Sequence, residues 1–287
     1  MTGRRALFYG ASPRIPDLSH LIPFTAIPGV KLQLAKAIGG VNLQSFPDDF
    51  VAWLSDAVPC DNVAVIAYFQ DRRPWVLKAF NDHPSVHAKL ETEYVDAAYL
   101  LDPFHELHIN RAQKGVYRLM DVAPDHFYRN QYFVSYYRDT TLVDEIAFVS
   151  YPSEGVSIQT CLGRDSNSNT RFSTRQISQA RRIAPIVSVL VEKHWSELNT
   201  SGEYSESETI SRLIESVHEK HSVRLTPRQA EVAFYILKGH SSISIGLTLG
   251  VARTTVKVFR KQLYKRLNIS SQAELFNLLL PLLGRDK

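Results

Sequence analysis

The chain has 287 residues, of which 44% are hydrophobic and 22% are charged. This length suffices for two domains with separate cores, and the composition is that of an ordinary globular protein. No apolar run is long enough to span a membrane, and no apolar segment follows the arginines near the N-terminus, so we expect a cytoplasmic protein without a signal peptide. The two cysteines, Cys60 and Cys161, form no CxxC pattern and are expected to be reduced.

The net charge of +4 is divided unevenly along the chain. Residues 221–287 hold 11 Lys and Arg against 3 Asp and Glu, whereas residues 1–220 hold 22 basic and 26 acidic residues. A basic segment joined to a mildly acidic body is typical of a nucleic-acid-binding domain attached to a second module. A solvated basic surface would carry the same charge, so charge alone leaves both interpretations open.

The first part of the chain predicts an arm, two helices and a β-hairpin. Residues 1–30 contain four prolines and little periodicity, which indicates an extended N-terminal arm. Helices are predicted over 31–43 and 47–58. Two runs rich in β-branched and aromatic residues, 62–70 and 74–80, are separated by a short charged turn and predict a pair of antiparallel strands.

The middle of the chain predicts further helices, a second strand pair and a long helix. The shorter segments are helices at 84–101, 104–112 and 124–137 and strands at 145–151 and 156–162. Ser173 and Gln176 form a capping box that begins the long helix. This order indicates an antiparallel sheet covered by helices on both faces, so residues 31–197 are predicted to form an α/β/α sandwich of the α+β class.

The last part of the chain predicts a linker and an all-α domain. Residues 198–223 begin with small polar residues and are expected to be a linker with a short helix. Residues 224–287 then show four helical segments. The third segment, residues 253–267, is basic and follows the second across a short turn after Gly250, which is the helix-turn-helix pattern. Such a helix fits the major groove of DNA.

This domain resembles the LuxR-type, or NarL/FixJ-type, helix-turn-helix family. The matching positions keep the family's spacing without a gap. They are Leu225, Thr226, Pro227, Arg228, Glu231, Gly239, Ile245, Leu249, Gly250, Thr255, Val256, Lys257, Leu267, Ala273, Glu274 and Leu275. The resemblance implies a transcription regulator that binds double-stranded DNA and is not an enzyme.

The resemblance also assigns roles on the basic helix. The expected DNA-binding residues are Lys257, Val258 and Lys261 at base edges and Thr254, Thr255 and Arg260 near phosphates. Two positions depart from the family pattern. Gly246 stands where alanine is usual, which should weaken the second helix by up to ~1 kcal/mol. Ala252 stands where a serine or threonine N-cap is usual.

The predicted sandwich resembles the ligand-binding domains of quorum-sensing regulators and GAF/PAS-like sensors. The resemblance lies in the spacing of two tyrosines and an Asp-Pro pair in residues 94–103. In receptors for acyl-homoserine lactones, a similar tyrosine and aspartate hydrogen-bond the lactone amide. It implies a small-molecule effector in a pocket between the sheet and a helix. The predicted ligand-binding residues are Tyr94, Asp102, Tyr68 and Trp75.

Two questions about this domain stay open. The tyrosine-to-aspartate spacing departs from that of the lactone receptors, and the tryptophan expected soon after Asp102-Pro103 is missing, so a typical acyl-homoserine lactone is not the expected effector. An aspartate before a proline also ends helices without any ligand. The alternative for the whole domain is a ligand-independent module that mediates protein contacts.

Other functional classes lack their motifs. No P-loop occurs, and the acidic pair at 48–49 lies in a predicted helix, which argues against an ATPase and a phosphorelay receiver. The pairs His83/His87 and His105/His108 have helical spacing, but no cysteine cluster or HExxH accompanies them, so we interpret them as surface histidines. No nucleophile motif is present. We therefore expect no catalytic residue, no metal and no cofactor.

A homodimer is expected, because one such module contacts about one half-site and two-fold pairing would match a near-palindromic operator. Two helices offer apolar residues for pairing, although both sets could be core. They are Leu275, Leu278, Leu279 and Leu282 on the last helix and Ile183, Ile186 and Leu190 on the helix after Ser173. We favour the latter, although Pro185 would kink it. The identity of the effector and operator, the sign of regulation and a contact with RNA polymerase stay open, and no membrane contact is expected.

Overall fold

A computed structural model describes residues 28–70, 72–125, 127–129, 131–200 and 206–283. The arm predicted over residues 1–30 lies outside the described residues up to position 27. From Pro28 the chain is helical, so the predicted arm does not extend to residue 30. Helix α1 spans Pro28–Gly39, and α2 spans Phe46–Ala57 with Pro47 in its first turn. Proline suits this position because the first turn of a helix leaves its N–H groups without intrahelical partners.

Among the described residues, five strands form one sheet in the order β2-β1-β5-β4-β3, and all neighbouring strands are antiparallel. They are β1 Asn62–Phe69, β2 Trp75–Asn81, β3 Gly115–Arg118, β4 Leu142–Ser153 and β5 Val156–Asp165. The four-residue β3 was not predicted, because it is too short to show an alternating pattern.

Two apolar layers cover the sheet, because alternate residues of each strand point to opposite faces. On one face, Val63, Val65 and Phe69 of β1 pack with α2 and with α6, Thr174–His194. On the other face, Ala64 and Tyr68 pack with the segment between β2 and β4. The predicted α/β/α sandwich with an antiparallel sheet is confirmed.

The segment between β2 and β4 differs most from its prediction. The three helices expected at 84–101, 104–112 and 124–137 are replaced by short pieces. These are a π-helical turn at Leu90–Tyr94, 3-10 turns at Ala98–Leu101, Phe127–Arg129 and Tyr137–Thr140, and the helices α3 His105–Ile109, α4 Leu119–Val122 and α5 Gln131–Ser135. All side chains from Ala97 to Leu101 are buried. Since a regular surface helix buries one face alone, packing on all sides overrides the helical pattern here.

The C-terminal part contains five helices within residues 206–283. They are α7 Glu206–His221, α8 Pro227–Leu237, α9 Ser242–Leu249, α10 Arg253–Leu267 and α11 Gln272–Leu283. The predicted capping box of Thr226 and Gln229 is present at the start of α8. The side chain of Ser241 caps α9, and Gly250 ends it with φ +66°. The four-helix domain predicted after the linker is therefore confirmed, with α9 and α10 as its helix-turn-helix.

Polar and apolar contacts join the two parts of the molecule. The Lys238 ammonium group at the end of α8 pairs with Glu106 of α3 and, at 3.2 Å, with Glu206 of α7. The backbone N–H of Ser241 donates to Asp125 Oδ1 at 3.2 Å, and α5 packs against α11. Among the described residues, none of the helices is both long and apolar enough to cross a membrane.

Candidate effector cavity and nucleic-acid interface

The outer face of α10 carries the residues predicted to bind DNA. Val256, Leu263 and Leu267 of this helix are buried against the rest of the domain. On the opposite side, Thr254, Lys257, Val258 and Lys261 are exposed, while Thr255 and Arg260 are partly exposed. The guanidinium of Arg260 lies 5.2 Å from the ring centre of Tyr264, one turn further along the helix, and this cation–π contact holds the charged end of the side chain along the helix surface. The six residues therefore lie where a nucleic-acid duplex could reach them.

A close backbone approach holds the turn between α9 and α10. A Cβ atom on Gly246 would lie 2.7 Å from the carbonyl oxygen of Val251, and the N–H of Val251 donates to the carbonyl of Gly246 at 2.9 Å. The glycine lets the turn fold directly onto α9. Gly246 is expected to weaken α9, but it also permits the close approach of the Val251 backbone. An alanine at this position would obstruct that approach.

A buried chain of hydroxyl groups ends on a carboxylate in the N-terminal domain. The hydroxyl groups of Tyr68 and Tyr94 are hydrogen-bonded to each other, and the Tyr94 hydroxyl donates to Asp102 Oδ2 at 2.7 Å. The N–H of Phe104 donates to Asp102 Oδ1 at 2.8 Å. β1 supplies Tyr68, while the irregular segment after β2 supplies the other two side chains. Three of the four residues predicted for the ligand site are therefore brought together.

The fourth predicted residue, Trp75, lies elsewhere, and its assignment to the site was wrong. In the β1–β2 ladder, Trp75 pairs with Ala67, so its side chain points to the face opposite Tyr68. Trp75 is 46% exposed, and its ring packs against Phe69 with a centroid distance of 4.9 Å. The register of the β1–β2 hairpin, which depends on its turn, determines on which face of the sheet the Trp75 side chain lies.

Tyr94 and Asp102 line a small cavity of about 50 Å³ together with residues that were not predicted to belong to the ligand site. The added polar residues are Asn62, His87, Tyr132, Tyr136, Tyr137, Thr140, Glu145 and Cys161. Glu145 is the second carboxyl group of the cavity and accepts a hydrogen bond from the Tyr137 hydroxyl at 3.1 Å. Alternation along β4 puts Glu145 on the same face as the buried Ala147 and Val149. This alternation was the feature of the sequence from which Glu145 could have been predicted to face the cavity.

Burial shifts the acid–base equilibria in this cavity. Burial raises the pKa of Asp102 to about 6, although the hydrogen bonds from Tyr94 and Phe104 act in the opposite direction and lower it. Burial and the nearby Asp102 charge raise the pKa of Glu145 to about 8. Near neutral pH, the cavity therefore holds one carboxyl group that is largely ionised and one that is largely protonated.

The interpretation of the histidine pairs as surface residues was wrong for His105 and His108, whereas His83 and His87 are partly exposed. His105 and His108 are buried, and the ring of His108 hydrogen-bonds through Nδ1 to Ser157 Oγ at 2.7 Å. Burial lowers the pKa of both His87 and His108 to about 4. His108 is a core residue of α3 that faces the sheet, since a neutral imidazole can be buried once it is hydrogen-bonded. In the described part of the chain, no three His, Cys, Asp or Glu residues form a group suited to hold a metal.

Residues 223–279 match the family model of bacterial regulatory proteins, luxR family. The chain is also 29% identical over 187 residues to a presumed HTH-type transcriptional regulator in the exeN 3′ region of Aeromonas salmonicida. That alignment covers 62% of this chain and 93% of the relative.

Solved structures show a weaker likeness in shape. The VqsR LBD domain from Pseudomonas aeruginosa is 22% identical with a TM-score of 0.49, over 59% of this chain and 98% of that one. SdiA in complex with octanoyl-rac-glycerol is 11% identical with a TM-score of 0.37, over 90% and 97%. CepR2 from Burkholderia cenocepacia, an N-acylhomoserine lactone dependent LuxR family transcription factor, is 12% identical with a TM-score of 0.41, over 58% and 96%.

The fold and the family match define the class of this protein. It combines a mixed α/β N-terminal domain with a C-terminal helix-turn-helix domain of the kind found in bacterial regulatory proteins. The C-terminal domain belongs to the LuxR family of bacterial regulatory proteins, as its motif predicted.

Proposed function

We propose that this protein is a dimeric, cytoplasmic, sequence-specific DNA-binding regulator whose N-terminal domain binds a small effector next to Tyr94 and Asp102. The observation that carries the proposal is the buried hydroxyl chain from Tyr68 through Tyr94 to Asp102 at the wall of a cavity. Small-molecule sites combine apolar walls with a few convergent polar groups, and this cavity has both. We further propose residues 31–197 as the effector domain, 198–223 as the linker and 224–287 as the DNA-binding domain.

The DNA-binding part of the proposal is supported by the exposed face of α10. Lys257, Val258 and Lys261 would read base edges in the major groove, and Arg260 would contact a phosphate. The domain has 11 Lys and Arg against 3 Asp and Glu, whereas the rest of the chain has more acidic than basic residues, and this net positive charge favours association with the duplex. The expected target is a near-palindromic operator with half-sites one helical turn apart.

The dimeric part is supported by an apolar groove between α1 and α6, which has a volume of about 680 Å³. Ile38 of α1 and Ile186 and Val189 of α6 are exposed there, with Val189 63% accessible. We propose that a second copy of the chain covers this groove. Ile183 and Leu190, which the sequence also suggested for pairing, are buried in the core of one protomer.

The last helix is a weaker candidate for pairing in the free protein. Leu275, Leu279 and Leu282 of α11 are buried within the protomer, where α11 packs on α7 and α8. The apolar residues that the sequence suggested as a pairing surface on this helix are therefore largely used inside the domain.

Native mass spectrometry of the full-length protein, purified without added ligand, tests the proposal. A dimer that carries a small molecule, released on denaturation, is the expected result. Selection of random duplex DNA with the same sample should then recover a near-palindromic sequence. An empty N-terminal domain, together with operator binding that no cell extract alters, would favour the ligand-independent alternative, in which this domain mediates protein contacts.

A further inference from the structure

The cavity beside Tyr94 and Asp102 has an unbalanced set of charged groups. Asp102 and Glu145 both line it, whereas none of its described lining residues is a lysine or an arginine. The histidine at its edge, His87, is held neutral because burial lowers its pKa to about 4. Two carboxyl groups thus share one cavity without a cationic side chain. A buried carboxylate is costly unless an opposite charge or hydrogen bonds compensate it.

Aromatic rings form much of the remaining wall. Tyr132 and Tyr136 are stacked with a centroid distance of 5.5 Å, and Tyr136 lies 5.9 Å from Tyr94. All three are buried. The cavity therefore combines π faces, acceptor oxygens and two acids, which is the set of groups that recognises an organic cation.

We propose that the effector of this cavity carries a small ammonium group, held between the carboxyl groups of Asp102 and Glu145 and against the rings of Tyr132 and Tyr136. This inference rests on the proposed function, since it assigns the chemical class of the effector. An ammonium group donates hydrogen bonds to both acids and supplies the missing positive charge. A cavity of about 50 Å³ suits a head group of a few heavy atoms.

The acid–base state of the cavity agrees with this ligand. Burial and the Asp102 charge raise the pKa of Glu145 to about 8. A cation beside Glu145 favours its ionised form, so binding should release a proton and tighten as the pH rises from 6 to 8. Among the described residues, the other titratable groups that interact with Glu145 include no cationic side chain. They are Asp102, Asp144, Tyr68, Tyr132, Tyr136, Tyr137 and Cys161.

Three probes of similar size separate the charge from the shape of the ligand: propylammonium chloride, propan-1-ol and sodium propionate. In calorimetric titrations at pH 7.5, the full-length protein should bind propylammonium with at least tenfold higher affinity than propan-1-ol or propionate. Glu145→Gln, which keeps the shape of the side chain, should lower the affinity for propylammonium at least tenfold. Glu154→Gln, an exposed position in the β4–β5 turn, should leave that affinity unchanged.

The wild-type protein supplies a second measurement that needs no variant. Propylammonium titrations in two buffers of different ionisation enthalpy should report proton release, with tighter binding at pH 8 than at pH 6. Equal binding of propan-1-ol or propionate, or no proton release, would overturn the cation assignment. A neutral or anionic molecule found in the cavity by native mass spectrometry would overturn this inference and leave the proposed effector function intact. An empty cavity that binds no probe would overturn both.

Discussion

At the scale of single residues, two buried acids give the N-terminal domain an unusual pH response. The pKa of Glu145 is raised to about 8 in the folded protein, so the folded state holds a proton that the unfolded state has lost above its ordinary pKa. Stability should therefore fall as the pH rises towards 8. The pKa values of His87 and His108 are lowered instead, and their opposing effect is confined to the range below about pH 7.

The first prediction follows from this loss of stability with rising pH. The thermal midpoint of the ligand-free protein should fall between pH 7 and pH 8, and Glu145→Gln should flatten that slope because glutamine does not titrate. Differential scanning calorimetry of both proteins in the same buffers measures it. A wild-type midpoint that is constant or rises over this range would show that Glu145 is not held protonated.

The second prediction concerns Lys257 on α10. Lys257→Ala should weaken operator binding by about 1–3 kcal/mol and relax the sequence preference, because a base contact is lost. Lys265→Ala is the control, since this residue is exposed on the same helix near its C-terminal end. Fluorescence anisotropy with the operator and with a scrambled duplex separates the two effects. Equal losses on both duplexes would make Lys257 a phosphate contact.

Residue-level assignments could be predicted where chain-local patterns decide them. Tyr94 and Asp102 lie eight positions apart on one segment, and they meet as expected. Trp75 was misplaced because its face depends on the register of a hairpin turn, which a one-residue shift reverses. Glu145 was missed although it begins the strand predicted at 145–151, where alternation already places it on the same face as Ala147 and Val149.

At the scale of elements, the glycine in α9 gives the third prediction. Alanine favours a helix by up to ~1 kcal/mol over glycine, but its Cβ would meet the backbone oxygen of Val251 at 2.7 Å. Overpacking typically costs ~1–3 kcal/mol, so Gly246→Ala should destabilise the domain on balance. Gly39→Ala is the matched control, because a Cβ at this position in α1 meets nothing within 4 Å.

Urea unfolding of the two alanine variants measures this difference. Gly39→Ala should equal or exceed the wild type in free energy of unfolding, and Gly246→Ala should lie below both. A Gly246→Ala protein as stable as the wild type would mean that the turn after α9 shifts without cost.

The groove between α1 and α6 gives the fourth prediction. Ile186→Glu should weaken the dimer by at least tenfold, since burying an isoleucine contributes about 1.5–3 kcal/mol and a buried glutamate would lack a partner. Arg181→Glu, exposed on α6 about 140° around the helix from Ile186, is the control. Sedimentation equilibrium at micromolar concentration measures both. A wild-type protein that is monomeric there, with and without operator, would exclude this interface.

Elements with strong local signals could be predicted, and those without them could not. The capping boxes at Ser173 and Thr226 begin α6 and α8 at the expected residues. The long helix expected at 84–101 breaks into a π-helical turn and a 3-10 turn instead. Helical propensity was present there, but the chain wraps the cavity and buries side chains on every side, which no helix with one apolar stripe can do.

At the scale of the whole molecule, Lys238 links three segments, and this gives the fifth prediction. Its side chain is 8% exposed, whereas those of Glu106 and Glu206 are 31% and 33% exposed. Removing one partner of a fully buried pair costs ~3–5 kcal/mol. Because both glutamates reach solvent, Lys238→Met should lower the free energy of unfolding by less than this, about 2 kcal/mol. It should also weaken the contact between the two domains.

Limited proteolysis near residues 198–206, with the thermal midpoint, measures the effect. Cleavage should be faster in Lys238→Met and unchanged in Lys220→Met, which lies exposed in the last turn of α7. Equal cleavage rates in the three proteins would show that the contact does not hold the domains together.

The apolar cluster around Tyr94 continues into the C-terminal domain, where Phe234 of α8 and Leu279 of α11 belong to it. Such continuity limits how this regulator can be recombined. A gene fusion that moved residues 206–283 onto an unrelated sensor would uncover the side of α11 that packs on α5. The transplanted half would then need new surface substitutions before it could stand alone.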